Sequence, residues 1–164
     1  MKVGQTFLGR ELTMNREEKN IIETVKRLLT DTEIMDEFNG CHIDYTENKV
    51  SEVGLMSLGS NKLKEDINGN VTYRHTFTLF AEKHGYDDYQ RMMGSSWLLK
   101  LTYYLNRIKN IEIIAEIDNT AKKGMLLSLS CSNGMFFEIP TGDINDGITY
   151  QLQIYADYVI KEEN

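Results

Sequence analysis

The chain has 164 residues, 41% of them hydrophobic and 26% charged, enough for one domain that buries roughly 70% of its unfolded surface. Its net charge of −7 opposes general binding to a nucleic-acid backbone, and Cys41 and Cys131 make neither a disulfide framework nor a CxxC pair. No stretch approaches the roughly 20 apolar residues of a membrane span, and the N-terminus has no apolar run of the secretory kind, so folding in the cytoplasm is expected.

Residues 1–14 hold Phe7 and Leu8 without a clear period and read as an N-terminal arm; residues 15–164 read as a single α+β domain. A first helix is expected from a cap at Asn15 with Glu18 three residues on, its buried stripe being Ile21, Ile22, Val25, Leu28 and Leu29. Residues 31–38 suit a further short helical turn closed by Asn39-Gly40. Strands are expected over 41–45 and 51–58, then over 62–67 and 71–81, the last two joined by Asn68-Gly69 as a type I′ hairpin.

The stretch 71–81 alternates cleanly, with Val71, Tyr73, His75, Phe77, Leu79 and Ala81 on one side. Asp87 and Gln90 stand at capping-box spacing before a long helix reaching about Lys109, whose expected core stripe is Met93, Trp97, Leu101, Tyr104 and Ile108. Tyr103 and Tyr104 are neighbours and must point in different directions. Beyond the helix, residues 111–117 suit a strand, 118–124 a polar loop, and 125–131 an alternating strand. Asn133-Gly134 then suits a turn, 135–139 a return strand and 141–147 an exposed loop. Residues 150–160 form the second well-patterned strand, with Tyr150, Leu152, Ile154, Ala156, Tyr158 and Ile160 on one face. The fold class that follows is α+β: a mostly antiparallel sheet with two main helices packed on one face.

The search for chemistry yields no catalytic, cofactor-binding or metal residue. Asp66-x-Asn68-x-Asn70 opens like a calcium loop, but the sixth position is Val71 and the twelfth Phe77, so the hairpin reading wins. His42, His75 and His84 form no ligand pairing with each other or with a cysteine, and His75 is expected as a hydrogen-bonded core residue. Cys41 and His42 are adjacent and so face opposite ways on a strand. No GxSxG, GxxxxGK[ST] or GxGxxG occurs. Phe136-Phe137 and the tyrosines lack the interleaved Arg and Lys of a single-strand binding surface.

The order of elements, with the stretches NREEKNIIETVKRLL, NGNVTYRHTFTLFAEK, DDYQRMMGSSWLLKLTYYLNRI and ITYQLQIYADYVI, resembles the tail terminator proteins of long-tailed phages and phage tail-like bacteriocins, often labelled minor capsid proteins in Gram-positive prophages. The resemblance covers about residues 15–161 and includes no catalytic motif. It implies a non-enzymatic, cofactor-free subunit of a hexameric ring on the head-proximal end of a tail tube, stopping growth and presenting a docking or collar surface. The implied partners are further copies of the chain, the tube protein, the sheath if the tail contracts, and a head-side connector if there is a head; DNA passes through without being bound specifically. The implied location is the host cytoplasm during assembly, then the particle. The stretch GMLLSLSCSNGMFFEIP and the loop TGDINDG depart from the family pattern.

A ring needs two different patches per subunit, and unpaired strand edges can supply one. The candidates are the arm at Phe7 and Leu8, edges at Val53 and Leu55 or at Met125, Leu127 and Leu129, and the loop at Asp143 and Asp146. Two other readings stand beside this one: a different head–tail connector or completion protein, and a small ligand-binding or hydrolytic α+β domain with His75 and tyrosines in a pocket.

Overall fold

The structure, a computed structural model, describes residues 20–162. The arm at 1–14, with Phe7 and Leu8, and the expected cap at Asn15 and Glu18 lie outside them. In chain order the elements are α1 (Ile21–Thr30), a 3₁₀ turn (Glu33–Met35), β1 (Cys41–Ile43), β2 (Val53–Glu65), β3 (Val71–Lys83), α2 (Asp88–Asn106), β4 (Lys109–Ile117), β5 (Thr120–Glu138), a second 3₁₀ turn (Ile144–Asp146) and β6 (Ile148–Ile160). The protein is α+β, with one six-stranded sheet in the order β1-β2-β3-β6-β5-β4. Every pairing is antiparallel except that of β1 with β2. The sheet curls enough that α1 touches both edge strands, β1 and β4.

Helix α1 is capped by Asn20, whose Oδ1 accepts the Glu23 N–H at 2.9 Å. Its Val25 and Leu29 are fully buried. At α2 the expected cap is present, Asp87 Oδ1 accepting the Gln90 N–H at 2.8 Å. The reciprocal half is not made, because the buried Gln90 Oε1 has no partner. The buried stripe of α2 is Gly94, Trp97, Leu98, Leu101 and Leu105. Met93, expected inside, is 47% exposed. Gly94 takes that place because the Tyr150 ring fills the space where a side chain would stand: a Cβ there would lie 2.4 Å from the tyrosine oxygen.

Strands β3 and β6 pair along their whole length, from Val71↔Ile160 to Lys83↔Ile148. They bring Phe77 and Leu79 against Ile154 and Leu152, all buried under the helices. β6 alternates as expected; on β3 the expected face is buried at His75, Phe77, Leu79 and Ala81 but only half-buried at Val71 and Tyr73, and Thr72, Thr78 and Glu82 are buried on the other face.

Three local expectations are corrected. The strands expected over 51–58 and 62–67 are one strand, β2 (Val53–Glu65), interrupted by register shifts between Ser57 and Ser60 and between Lys62 and Lys64, with Gly59 at φ +97°. Likewise the strands expected over 125–131 and 135–139 are one strand, β5, which ends at Glu138, and Asn133-Gly134 is a bulge between Ser132 and Met135 rather than a turn. In both cases the partner strand runs on unbroken opposite the extra residue, which keeps the chain in the sheet. The residues expected as a polar loop, 118–124, hold instead a two-residue hairpin: Asp118 and Asn119 have φ 52° and 62°, between the paired Ile117 and Thr120. Two consecutive positive φ values are the signature of a type I′ turn. At the Asn68-Gly69 hairpin, by contrast, Gly69 alone has positive φ. Asp66 closes that loop by accepting from the Asn68 and Asn70 N–H groups.

Candidate functional site

Two kinds of site can be built from these elements: polar clusters able to do chemistry, and surfaces able to meet another chain. The most connected polar cluster lies where β2, β3 and β6 run side by side. The His75 imidazole lies 2.7 Å from Ser57 Oγ through Nε2 and 2.7 Å from Ser60 Oγ through Nδ1, and Ser60 Oγ lies 2.7 Å from the Tyr158 hydroxyl. Gly59 and its bulge bring Ser57 and Ser60 to the same ring. Burial lowers the His75 pKa and raises that of Tyr158, so both groups are held neutral. A serine hydroxyl on an imidazole is the beginning of a nucleophilic site, but the group that would orient the ring is absent from it. Nδ1 meets a second serine, and the nearby Asp44 accepts the Ser57 backbone N–H instead. The cluster satisfies a buried histidine, as expected for His75.

Two buried carboxylates are also satisfied within the fold. Glu52 accepts from Asn39 Nδ2 at 3.2 Å and meets His42 Nε2 at 3.1 Å; the Asn39 bond leads in lowering its pKa. Glu82 receives the Thr149 hydroxyl on both oxygens, at 2.8 and 2.7 Å, yet burial raises its pKa. Burial likewise pushes the Cys41 thiol up to about 11 and Cys131 to about 12, so neither is an activated nucleophile. Among the described residues no group of three or more His, Cys, Asp or Glu could hold a metal ion. A cleft of about 430 Å³ on β4 and β5 is lined by Glu112, Lys123, Met125 and Lys161 and offers no imidazole or thiol.

The surfaces differ from those expected. Val53 and Leu55 are fully buried, because β1 pairs with β2 at those residues and closes the edge there. The edge of β2 opens only beyond them, over 58–65, where every residue is exposed. Met125 and Leu127 are not an edge either, because β4 pairs with β5 as far as Ser128, and Leu129, just past that pairing, is buried. A register shift at Leu127 moves the buried positions to Leu126 and Leu129 and leaves Met125 and Leu127 half-buried. Asp143 and Asp146 are exposed on their loop and engaged within it, Asp143 accepting the Asn145 N–H and Asp146 the Thr141 hydroxyl.

Other surfaces went unmarked. Beyond Ser128, β5 has lost its β4 partner, and Met135, Phe136 and Phe137 are each nearly half exposed there. On the outer side of α2, Tyr89, Met92, Leu99 and Tyr103 are more than half exposed. Their spacing of three, seven and four residues places them on one stripe. The available signal was that α2 is apolar on both sides, which a solvent-facing helix is not. No α2 or other described helix is long and apolar enough to cross a membrane.

Compared with known proteins, the chain matches no family model and no curated protein.

Proposed function

We propose that the protein is a structural subunit that repeats about an axis to close the head-proximal end of a phage-type tail tube. The observation that carries this reading is that, among the described residues, the sheet has an unpaired strand edge on each side: β2 beyond its β1 partner, and β4, which α1 touches but no further strand pairs. A ring requires two different patches on each copy, and two unpaired edges of one sheet are such a pair. The apolar stripe of α2 and the end of β5 leave further surface for the tube or for a head-side connector, since exposed apolar area of this kind marks contact sites. The resemblance of the helix, hairpin and terminal strand sequences to tail terminators supplies the particular role. The test is electron microscopy of gold-labelled protein mixed with assembled tail tubes. Label confined to one tube end is the expected result; label along the sides, or none on the tubes, overturns the proposal.

The Ser57–His75 contact favours a second reading, a small hydrolytic domain. Covalent labelling by a fluorophosphonate, lost in Ser57→Ala, would establish it in place of the first.

A further inference from the structure

The pairings across the sheet define one continuous row: Lys64 lies opposite Thr72, Thr72 opposite Val159, Val159 opposite Met125, and Met125 opposite Glu112. Directly opposed residues share a face of a sheet, so Lys64 and Glu112 point to the same side at its two margins. At this level β1 is absent, as it pairs only with 53–55, and among the described residues no further strand pairs with either end of the row, although Thr24, Arg27 and Leu28 of α1 lie beside Asn110 to Glu112. The shift between Lys62 and Lys64 is what brings Lys64 into the row; Lys62 is opposite Tyr73, on the other face, and pairs with its own Glu65. Both Lys64 and Glu112 are exposed, and among the described residues neither forms an ion pair within the chain. Four antiparallel steps separate β2 from β4, so the two strands run in the same direction.

From this we infer that copies of the chain join edge to edge, residues 58–65 of β2 in one copy pairing in parallel with β4 of the next, with Lys64 beside Glu112. The inference rests on the ring reading above. A ring closed by rotation has no net rise, so with strands running along the axis the two ends of one row come to the same height. There they carry opposite charges on the same face, the arrangement that fixes register and rejects a slipped pairing. Main-chain hydrogen bonds supply the attraction, as in other strand additions. Each contact is short, and closure of the ring makes the set of contacts stronger than any one of them.

The test is disulfide trapping in a chain whose native thiols are removed by Cys41→Ser and Cys131→Ser. Lys64→Cys and Glu112→Cys are combined in that chain, which is oxidised at high concentration. The expected result is a ladder of covalent oligomers whose peptide maps join positions 64 and 112, whereas either substitution alone stops at a dimer. A ladder with other junctions, or no ladder from protein with unchanged circular dichroism, overturns the inference. A second measurement keeps the original thiols: Lys64→Glu should abolish end-bound rings on tubes, and adding Glu112→Lys should restore them. Rings at tube ends without the 64–112 junction would overturn the edge pairing and leave the cap reading. A 64–112 ladder from protein that never binds tube ends would do the reverse.

Discussion

The indole N–H of Trp97 donates to the Ile34 carbonyl at 2.8 Å, fastening the middle of α2 to the 3₁₀ turn after α1. The ring is 6% exposed, packs at 5.1 Å on Phe38, and lies 5.0 Å beneath the Lys83 ammonium. Trp97→Ala should therefore cost about 3–5 kcal/mol as a core cavity. Trp97→Phe should cost less, its remaining penalty being the Ile34 carbonyl left without its donor, about 1–3 kcal/mol. Urea unfolding checks both; unchanged stability in the alanine variant would move Trp97 from the core to a contact surface.

Gly94 in the middle of α2 looks like a weakness, since Ala there should gain about 1 kcal/mol by helix propensity. The Tyr150 ring reverses the sign. A Cβ at Gly94 would come within 2.4 to 2.6 Å of the hydroxyl oxygen and two ring carbons of Tyr150, which is itself 2% exposed and hydrogen-bonded to the Arg91 carbonyl. Gly94→Ala should destabilise by about 1–3 kcal/mol, the range for an overfilled core. A rise in melting temperature would show that the helix is free to move away from β6.

Two buried groups give opposite pH slopes. Burial holds the His75 pKa below its ordinary 6.5, so the unfolded chain takes up a proton first as the pH falls, and stability is lost below 6.5. Burial holds the Glu82 pKa above its ordinary 4.5. Its contribution is fully present below 4.5 and is lost as the pH rises through the folded value. Glu82→Gln should thus be more stable than the parent at pH 7, with the advantage shrinking toward acid. His75→Gln should flatten the acid side of the stability curve. Thermal melts across this range check each; a Glu82→Gln difference independent of pH would mean that the carboxyl does not titrate there.

With thiol pKa values pushed to about 11 and about 12, Cys41 and Cys131 should alkylate far more slowly than a free peptide thiol at pH 7. Iodoacetamide labelling followed by mass spectrometry should show both sites modified together only once the protein unfolds. Rapid labelling of Cys131 in native protein would place the end of β5 away from α2.

The Asp118-Asn119 turn holds two side-chain-bearing residues at positive φ. Asn119→Gly should stabilise by up to about 1 kcal/mol, because glycine adopts that conformation without steric cost. Asn119→Val should destabilise, since a branched side chain is strained there. Chemical denaturation of the pair checks the turn type.

What could be read in the sequence was whatever depends on neighbours along the chain. Alternation from Val71 to Ala81 and from Tyr150 to Ile160 identified β3 and β6, Asp87 identified the start of α2, and the isolation of His75 from ligands and acids pointed to a satisfied core histidine. The resemblance, not the periodicity, carried the proposed role of a ring subunit. The edges were misplaced because an edge is defined by a strand that fails to pair, and local pattern carries no record of pairing. Val53 and Leu55 look like any alternating strand until β1 is seen beside them. Leu127 alternates with Met125 and Leu129 until the bulge takes it out of phase.

The same limit explains the turns. A residue at positive φ suits a bulge as well as a hairpin, and the partner strand decides which occurs. At Asn133 the sheet continues past it on β6; at Asp118-Asn119 the chain reverses and pairs with itself. The Asp87 cap of α2 and the alternation of β6, which involve residues a few positions apart, were therefore legible in the sequence; the cap of α1 at Asn20 and the exposure of Met93 were not. Which strands lie at the margins of the sheet, and so which residues stand open to another chain, was settled only when contacts between distant segments formed, because those contacts place Lys64 and Glu112 at opposite ends of a single row.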